Sequence, residues 1–103
     1  MSKAIEDVIA ERRRQIEVEG HTTAHDDRHT KGELARAAAC YCAVAGNDEE
    51  TRQVRLRMGW WPSTWPWDWL QWKPQSRRRD LVRAGALIIA EIERLDRAKE
   101  TEA

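Results

Sequence analysis

All six tryptophans of this 103-residue chain fall between Trp60 and Trp72, while phenylalanine is absent and tyrosine occurs once. A Trp side chain buries on the order of 200 Å² and needs a partner for its indole N–H, so six together either fill a core or face a ligand. The other apolar residues are largely alanine, valine and single leucines or isoleucines, and the mean hydropathy is -0.82. A chain this short and polar makes one small, marginal domain that cannot easily build a core without its tryptophans.

Lys plus Arg and Asp plus Glu both number 18, which gives zero formal net charge. Non-specific nucleic-acid binding, which needs a basic excess, is not expected. The longest apolar stretch, Leu81 to Ala90, is about half a membrane span and is interrupted by Arg83, so no membrane association is expected. The acidic, amphipathic start of the chain lacks an apolar signal core, which predicts a cytoplasmic location. Cys40 and Cys42 lie two apart in a helical pattern. Their side chains point roughly 200° apart, so they read as small core thiols rather than a disulfide.

Periodicity predicts helices over about 3–19, 31–45 and 77–97, a Trp-rich loop over 59–74 and a frayed tail over 98–103. In the first helix Ile5, Val8, Ile9 and Ile16 share a face, and Arg12 intrudes into that stripe. His21 to His29 is polar, holds every histidine and reads as a loop. Thr30 and Glu33 form a capping box before the second helix, whose inner face carries Leu34, Ala37, Ala38, Tyr41 and Ala45. Asp48 to Arg57 is ambiguous: Asn47 and Glu50 suit the cap of a short helix running into a loop, the favoured reading, whereas Val54, Leu56 and Met58 alternate like an edge strand. Pro66 allows one helical turn, and Ser76 caps the last helix. The fold class is therefore all-α: a small three- to four-helix domain, 1–103, with an alanine-rich helical hairpin covered by the Trp/Pro-rich loop. Six tryptophans in thirteen residues can hardly all turn inward, so at least one is expected to be exposed.

Several residues could carry chemistry. Glu91 sits within the apolar run Leu87 to Ile92, where a carboxylate needs a cation. Asp80 lies on the same stripe of the last helix, and Glu33 borders the apolar face of the second. Carboxylates on facing helices are one way to hold Mg²⁺ around a phosphate. The structural explanations are a capping box for Glu33, the helix dipole for Asp80 and a salt bridge to Arg12 for Glu91. His25, Asp26, Asp27 and His29 are of types that suit zinc or another transition metal, though hydrogen-bonded loop anchors also account for them. For a ligand, Trp65, Trp67 and Trp69 offer stacking surfaces and Arg12 and Arg79 offer phosphate contacts. No nucleophile motif or glycine-rich phosphate loop is present.

Glu19-Gly20-His21-Thr22, His25-Asp26-Asp27 with His29, Gly32-Glu33-Leu34-Ala35, Trp65-Pro66-Trp67, Trp72-Lys73-Pro74 and Arg78-Arg79-Asp80-Leu81-Val82, continued by Ala90-Glu91-Ile92-Glu93-Arg94-Leu95-Asp96-Arg97, together resemble a family of short phage- and prophage-encoded proteins. The resemblance covers almost the whole chain and implies a bacterial or phage cytosolic setting. His21 stands where that family usually has tryptophan. More loosely, Gly32 to Ala35 and Asp80 to Val82 are similar to parts of the acidic motifs of all-α nucleoside triphosphate pyrophosphohydrolases of the MazG type. That resemblance implies Mg²⁺-dependent hydrolysis; the metal ligands read for this alternative are Glu33, Asp80 and Glu91, with Asp96 as a further candidate. The chain departs from it in having no second glutamate beside Glu33 and in placing Arg77 to Arg79 where acidic residues belong.

Two functions are thus expected. The first is a non-enzymatic phage accessory protein that binds a small, nucleotide-like ligand or a host protein, with no certain cofactor. The alternative is the Mg²⁺-dependent pyrophosphohydrolase. A marginal, alanine-rich domain also gains from self-association, so a homo-oligomer is expected.

Overall fold

The computed structural model describes residues 1–102. In chain order the elements are α1 (Lys3–Glu17), α2 (Thr23–Asp27), α3 (Glu33–Ala45), α4 (Glu49–Arg57), a 3₁₀ turn (Trp69–Gln71) and α5 (Arg77–Glu102). No strand occurs among the described residues, and the chain is all-α as its periodicity predicts.

α5 is the spine. Its 26 residues extend for about 39 Å, and α1, α2 and α3 all pack on it. α3 runs antiparallel to it, with Tyr41 bonded to Arg83 at one end and Glu33 close enough to act on Arg94 at the other. Ala37, Ala38 and Cys40 of α3 and Ala84 and Ala90 of α5 are buried at this seam, and Leu34, Val44 and Leu87 fill it. Small residues let the two backbones approach, but they leave one edge of the seam uncovered. Trp65 and Trp72 close that edge and join the same apolar cluster. Tyr41 stacks on Trp72 at 4.6 Å and meets Trp65 edge-on at 5.6 Å. Both buried indoles find acceptors: Trp65 donates to the Asp68 carbonyl at 3.0 Å and Trp72 to the Trp60 carbonyl at 3.2 Å. Trp61 and Trp69 remain outside and stack on each other, so the cluster is core at one end and surface at the other.

The helix ends differ in detail from the sequence reading. α1 stops at Glu17 instead of Glu19. The histidine segment is not all loop: Thr22 caps the single-turn helix α2 through the His25 N–H. The cap of α3 is Gly32 in the left-handed region (φ 80°), so Thr30 does not complete a capping box. Glu33 still reaches back, accepting from the Lys31 N–H at 2.7 Å. Asp48 rather than Asn47 caps α4, and Asp68 caps the 3₁₀ turn. Ser76 caps α5 through the Arg79 N–H as expected. The stretch read as a frayed tail continues α5 through Glu102, while Ala103 lies outside the described residues. Cys40 is buried and Cys42 exposed, both free.

The largest correction concerns α1. Its buried residues are Glu11, Arg12 and Gln15, while Ile5, Ile9 and Ile16 are 36–52% exposed. The reason lies on α5, which presents Arg79 and Arg83 to this side. Turning an isoleucine inward is worth about 1.5–3 kcal/mol, whereas a stranded buried charge costs about 3–5 kcal/mol. Glu11 therefore faces in. It accepts from Nε and one terminal nitrogen of Arg14 at 2.7 and 3.0 Å, from Gln15 at 3.2 Å and from Arg79. A matching stripe of α5, made of Leu81, Ile88, Ile92 and Leu95, is left 45–53% exposed. It recurs at the spacing of Gly85, whose α-carbon abuts Val8 of α1, so it flanks the α1 contact.

Burial alone would raise the Glu11 carboxyl, but the hydrogen bonds and charges of Arg14 and Arg79 together hold it below its ordinary value of 4.5. The stability this contributes is present above the ordinary value and is lost as pH falls through the lower folded value. Thermal melts from pH 7 to pH 3 are therefore expected to fall more steeply for the wild type than for Glu11→Gln, which starts about 3 kcal/mol less stable at pH 7.

Candidate functional site

A half-open cavity of about 300 Å³ lies where α1, α3 and α5 meet the Trp-rich segment. That volume is at the lower end of small-molecule sites. α1 and the turn after it contribute Gln15, Glu19 and His21, α2 contributes His25, and α3 contributes Tyr41. The opposite wall carries Trp65, Trp67, Gln71 and Lys73, and α5 supplies Arg83 and Leu87. Trp65 and Trp67 meet edge to face at 5.4 Å, and Trp67 also touches His29 and His21. One wall is thus aromatic and another cationic.

Arg83 is the polar centre of the cavity. It is 7% exposed. One arm donates to the Tyr41 hydroxyl at 3.1 Å and to the Lys73 carbonyl at 2.9 Å, while Tyr41 also accepts from the Lys73 N–H at 3.3 Å. These bonds pin the Trp-rich segment to the helical seam. The Arg83 Nε has no hydrogen-bond partner, being 3.9 Å from Glu11. Among the described residues six buried side-chain polar atoms lack a partner, and four belong to this wall: Gln15 Oε1, His21 Nδ1, Trp67 Nε1 and Arg83 Nε. Buried polar atoms are almost always bonded, so this concentration is unusual. Burial, with the nearby charge of His25 second, lowers the His21 pKa from its ordinary 6.5 and favours the neutral ring.

The residues singled out from sequence are dispersed. Trp65 and Trp67 line the cavity, but Trp69 lies against Trp61 in a separate surface groove. Arg12 does not meet Glu91: it donates to Asp26 at 3.1 Å and to Glu93 at 3.2 Å. Arg79 is held by Glu11, Arg78 by Asp7 and Arg77 by the Asn47 carbonyl. Of the three carboxylates proposed for Mg²⁺, Asp80 stands far from Glu91, and each of the three has a partner of its own. Asp80 is fully buried with Arg52 at 2.9 Å and the Gln75 N–H at 2.7 Å. Glu91 pairs with Arg94 at 2.6 Å, and Glu33 meets His29 at 3.3 Å. Eleven helical residues separate Asp80 from Glu91, about 16 Å along α5. Asp96 is exposed.

Of the histidine-loop group, His25, Asp26 and His29 stay together, but Asp27 turns out to meet Arg97 at 2.8 Å. His21 takes its place, stacked on His25 at 4.5 Å. The sequence reading did not select Gln15, Tyr41, Lys73 or Arg83. Arg83 had left a trace as the single charge inside Leu81 to Ala90, and Gln15 as a polar residue between helical turns. Comparison with protein-family models, with curated proteins and with solved structures finds no match to this chain. No helix among the described residues is long and apolar enough to cross a membrane.

Tyr41→Phe removes the acceptor shared by Arg83 and Lys73. Denaturant titration should show a loss of about 2 kcal/mol, as expected for hydrogen bonds to a buried charged group.

Proposed function

We propose that this chain is a non-enzymatic binding protein for a small, flat, anionic ligand of nucleotide type, held in the cavity between Trp67 and Arg83. The reading rests on one observation: a cavity lined by Trp65 and Trp67 and by Arg83 and Lys73, whose lining residues carry four buried polar atoms without a partner. A planar ring stacks on an indole and its charge meets a cation, each without disturbing the ion pairs that fasten the helices. Arg83 and Lys73 take the phosphate role expected of Arg12 and Arg79, because those two already serve carboxylates. The distance of Asp80 from Glu91 along α5, and the partner that Glu33, Asp80 and Glu91 each already have, favour binding over metal-dependent hydrolysis. The resemblance to short phage proteins is the ground for placing this binding in the cytoplasm of an infected or lysogenic host.

The test is tryptophan fluorescence on titration with nucleoside mono- and triphosphates. Saturable quenching is expected, weakened roughly tenfold, about 1.4 kcal/mol, by Lys73→Met and abolished by Trp67→Leu, with Trp69→Ala as an unaffected control. Absence of quenching by every nucleotide would refute the proposal.

We also propose that the chain self-associates through the exposed seam of Ile5, Ile9, Ile16, Leu81, Ile88, Ile92 and Leu95. Contiguous apolar surface on this scale marks an interface more often than free surface. Light scattering should give twice the 12.0 kDa chain mass for the wild type and the chain mass for the double variant Ile88→Lys, Ile92→Lys.

A further inference from the structure

The histidines beside the cavity bring together two ring nitrogens that neutral rings of this tautomer would keep apart. His25 Nδ1 lies 3.0 Å from Asp26 Oδ1, and His29 Nδ1 lies 3.3 Å from Glu33 Oε2. A carboxylate accepts, so each ring is set with its proton on Nδ1 and its lone pair on Nε2. Yet the two Nε2 atoms face each other at 3.3 Å. Two lone pairs so placed repel unless something positive lies between them. Nitrogens bound to one tetrahedral zinc at 2.0–2.1 Å are about 3.3–3.4 Å apart, which is the separation observed.

His21 stands outside this pair: its ring is stacked parallel on His25 at 4.5 Å, so its in-plane lone pair does not reach an ion lying in the His25 plane, and its ring nitrogen groups within 4.8 Å with His25 and the Asp26 carboxylate instead of with His29. The outer groups also fit. Asp26 is fully buried, and its second oxygen is fixed by Arg12 at 3.1 Å, so it orients His25 instead of moving onto a metal itself. Glu33 is fixed by the Lys31 N–H at 2.7 Å and orients His29. Carboxylates that hold the far nitrogen of a ligating histidine in this way set the tautomer and raise its basicity.

We infer that His25 Nε2 and His29 Nε2 form a two-histidine binding site for a divalent transition-metal ion of the zinc class, with the remaining coordination positions open to solvent. Imidazole nitrogens select zinc and its neighbours over Mg²⁺ or Ca²⁺, which take oxygen. His25 and His29 are partly exposed, and His21 and His25 line the cavity, which gives the ion a way in. The site does not depend on the cavity's ligand and would stand if the nucleotide reading fell.

The experiment uses the full chain, stripped with chelator and titrated with Zn²⁺ or Co²⁺ without any nucleotide. Cobalt should develop the intense visible bands of a tetrahedral nitrogen-ligated ion, and saturating zinc should raise the melting temperature by roughly 10 °C. His29→Ala should lose both responses, and Asp27→Asn should keep both. Long-range ¹⁵N–¹H spectra of the wild type should show the Nε2 resonances of His25 and His29 shifting on zinc addition, which keeps the test independent of how the variants fold. A wild-type protein with no cobalt bands and no zinc shift would overturn the inference and leave a proton shared between the two rings as the cause of their approach. Unchanged Nε2 resonances, or full binding by His29→Ala, would overturn it equally.

Discussion

Three carboxylates with essentially no exposed surface, Glu11, Asp26 and Asp80, each meet an arginine from another part of the chain, and the placement of every helix except α3 depends on them. Glu11 ties α1 to α5 through Arg79, and Asp80 ties α4 to α5 through Arg52. Asp26 ties α2 to α1 through Arg12, and the neighbouring Asp27 ties it to α5 through Arg97. Such pairs add little net stability over apolar groups of the same shape, but separating one leaves a stranded charge worth about 3–5 kcal/mol. They act mainly against wrong arrangements. α3 is placed by its alanine-rich seam with α5 and by the hydrogen bond that Arg83 donates to Tyr41.

Two features of the surface follow from this wiring. With Glu11, Arg12 and Gln15 turned inward, the isoleucines of α1 face out beside the leucines and isoleucines of α5. With Arg12, Arg14, Arg52, Arg79 and Arg94 occupied by carboxylates, Arg83 is the buried arginine whose bonds go to a hydroxyl and a carbonyl instead, 3.9 Å from the nearest carboxylate. It lies in the cavity because Tyr41 and Lys73 draw it there. The aromatic wall arises from the same shortage of bulk: a seam lined with alanine leaves room that Trp65 and Trp72 fill and Trp67 only partly covers.

The helical architecture was legible because it rests on local signals. Ser76 caps its helix as read, and Leu34, Ala37, Ala38, Tyr41 and Ala45 all face inward. The Trp-rich segment covers the hairpin, as the lack of other large apolar residues requires. Less was legible of the site. His25, Asp26 and His29 are close in sequence and remain together. Arg83, Tyr41 and Lys73 are far apart along the chain, and no spacing rule connects them. α1 misled because periodicity reports that a face is apolar but not whether a partner's charge outbids it.

The sequence by itself determined that this chain is helical, roughly where its three longest helices lie and that its tryptophans must serve as the bulk of a small core, since periodicity and composition act over a few residues. The tertiary structure decided which face of α1 is buried, which arginines are spent and which remain near the cavity, and how three histidines from one short segment converge. Those outcomes depend on the partner each charge finds across the fold, and electrostatic pairing over long sequence separations leaves no local pattern from which it can be read.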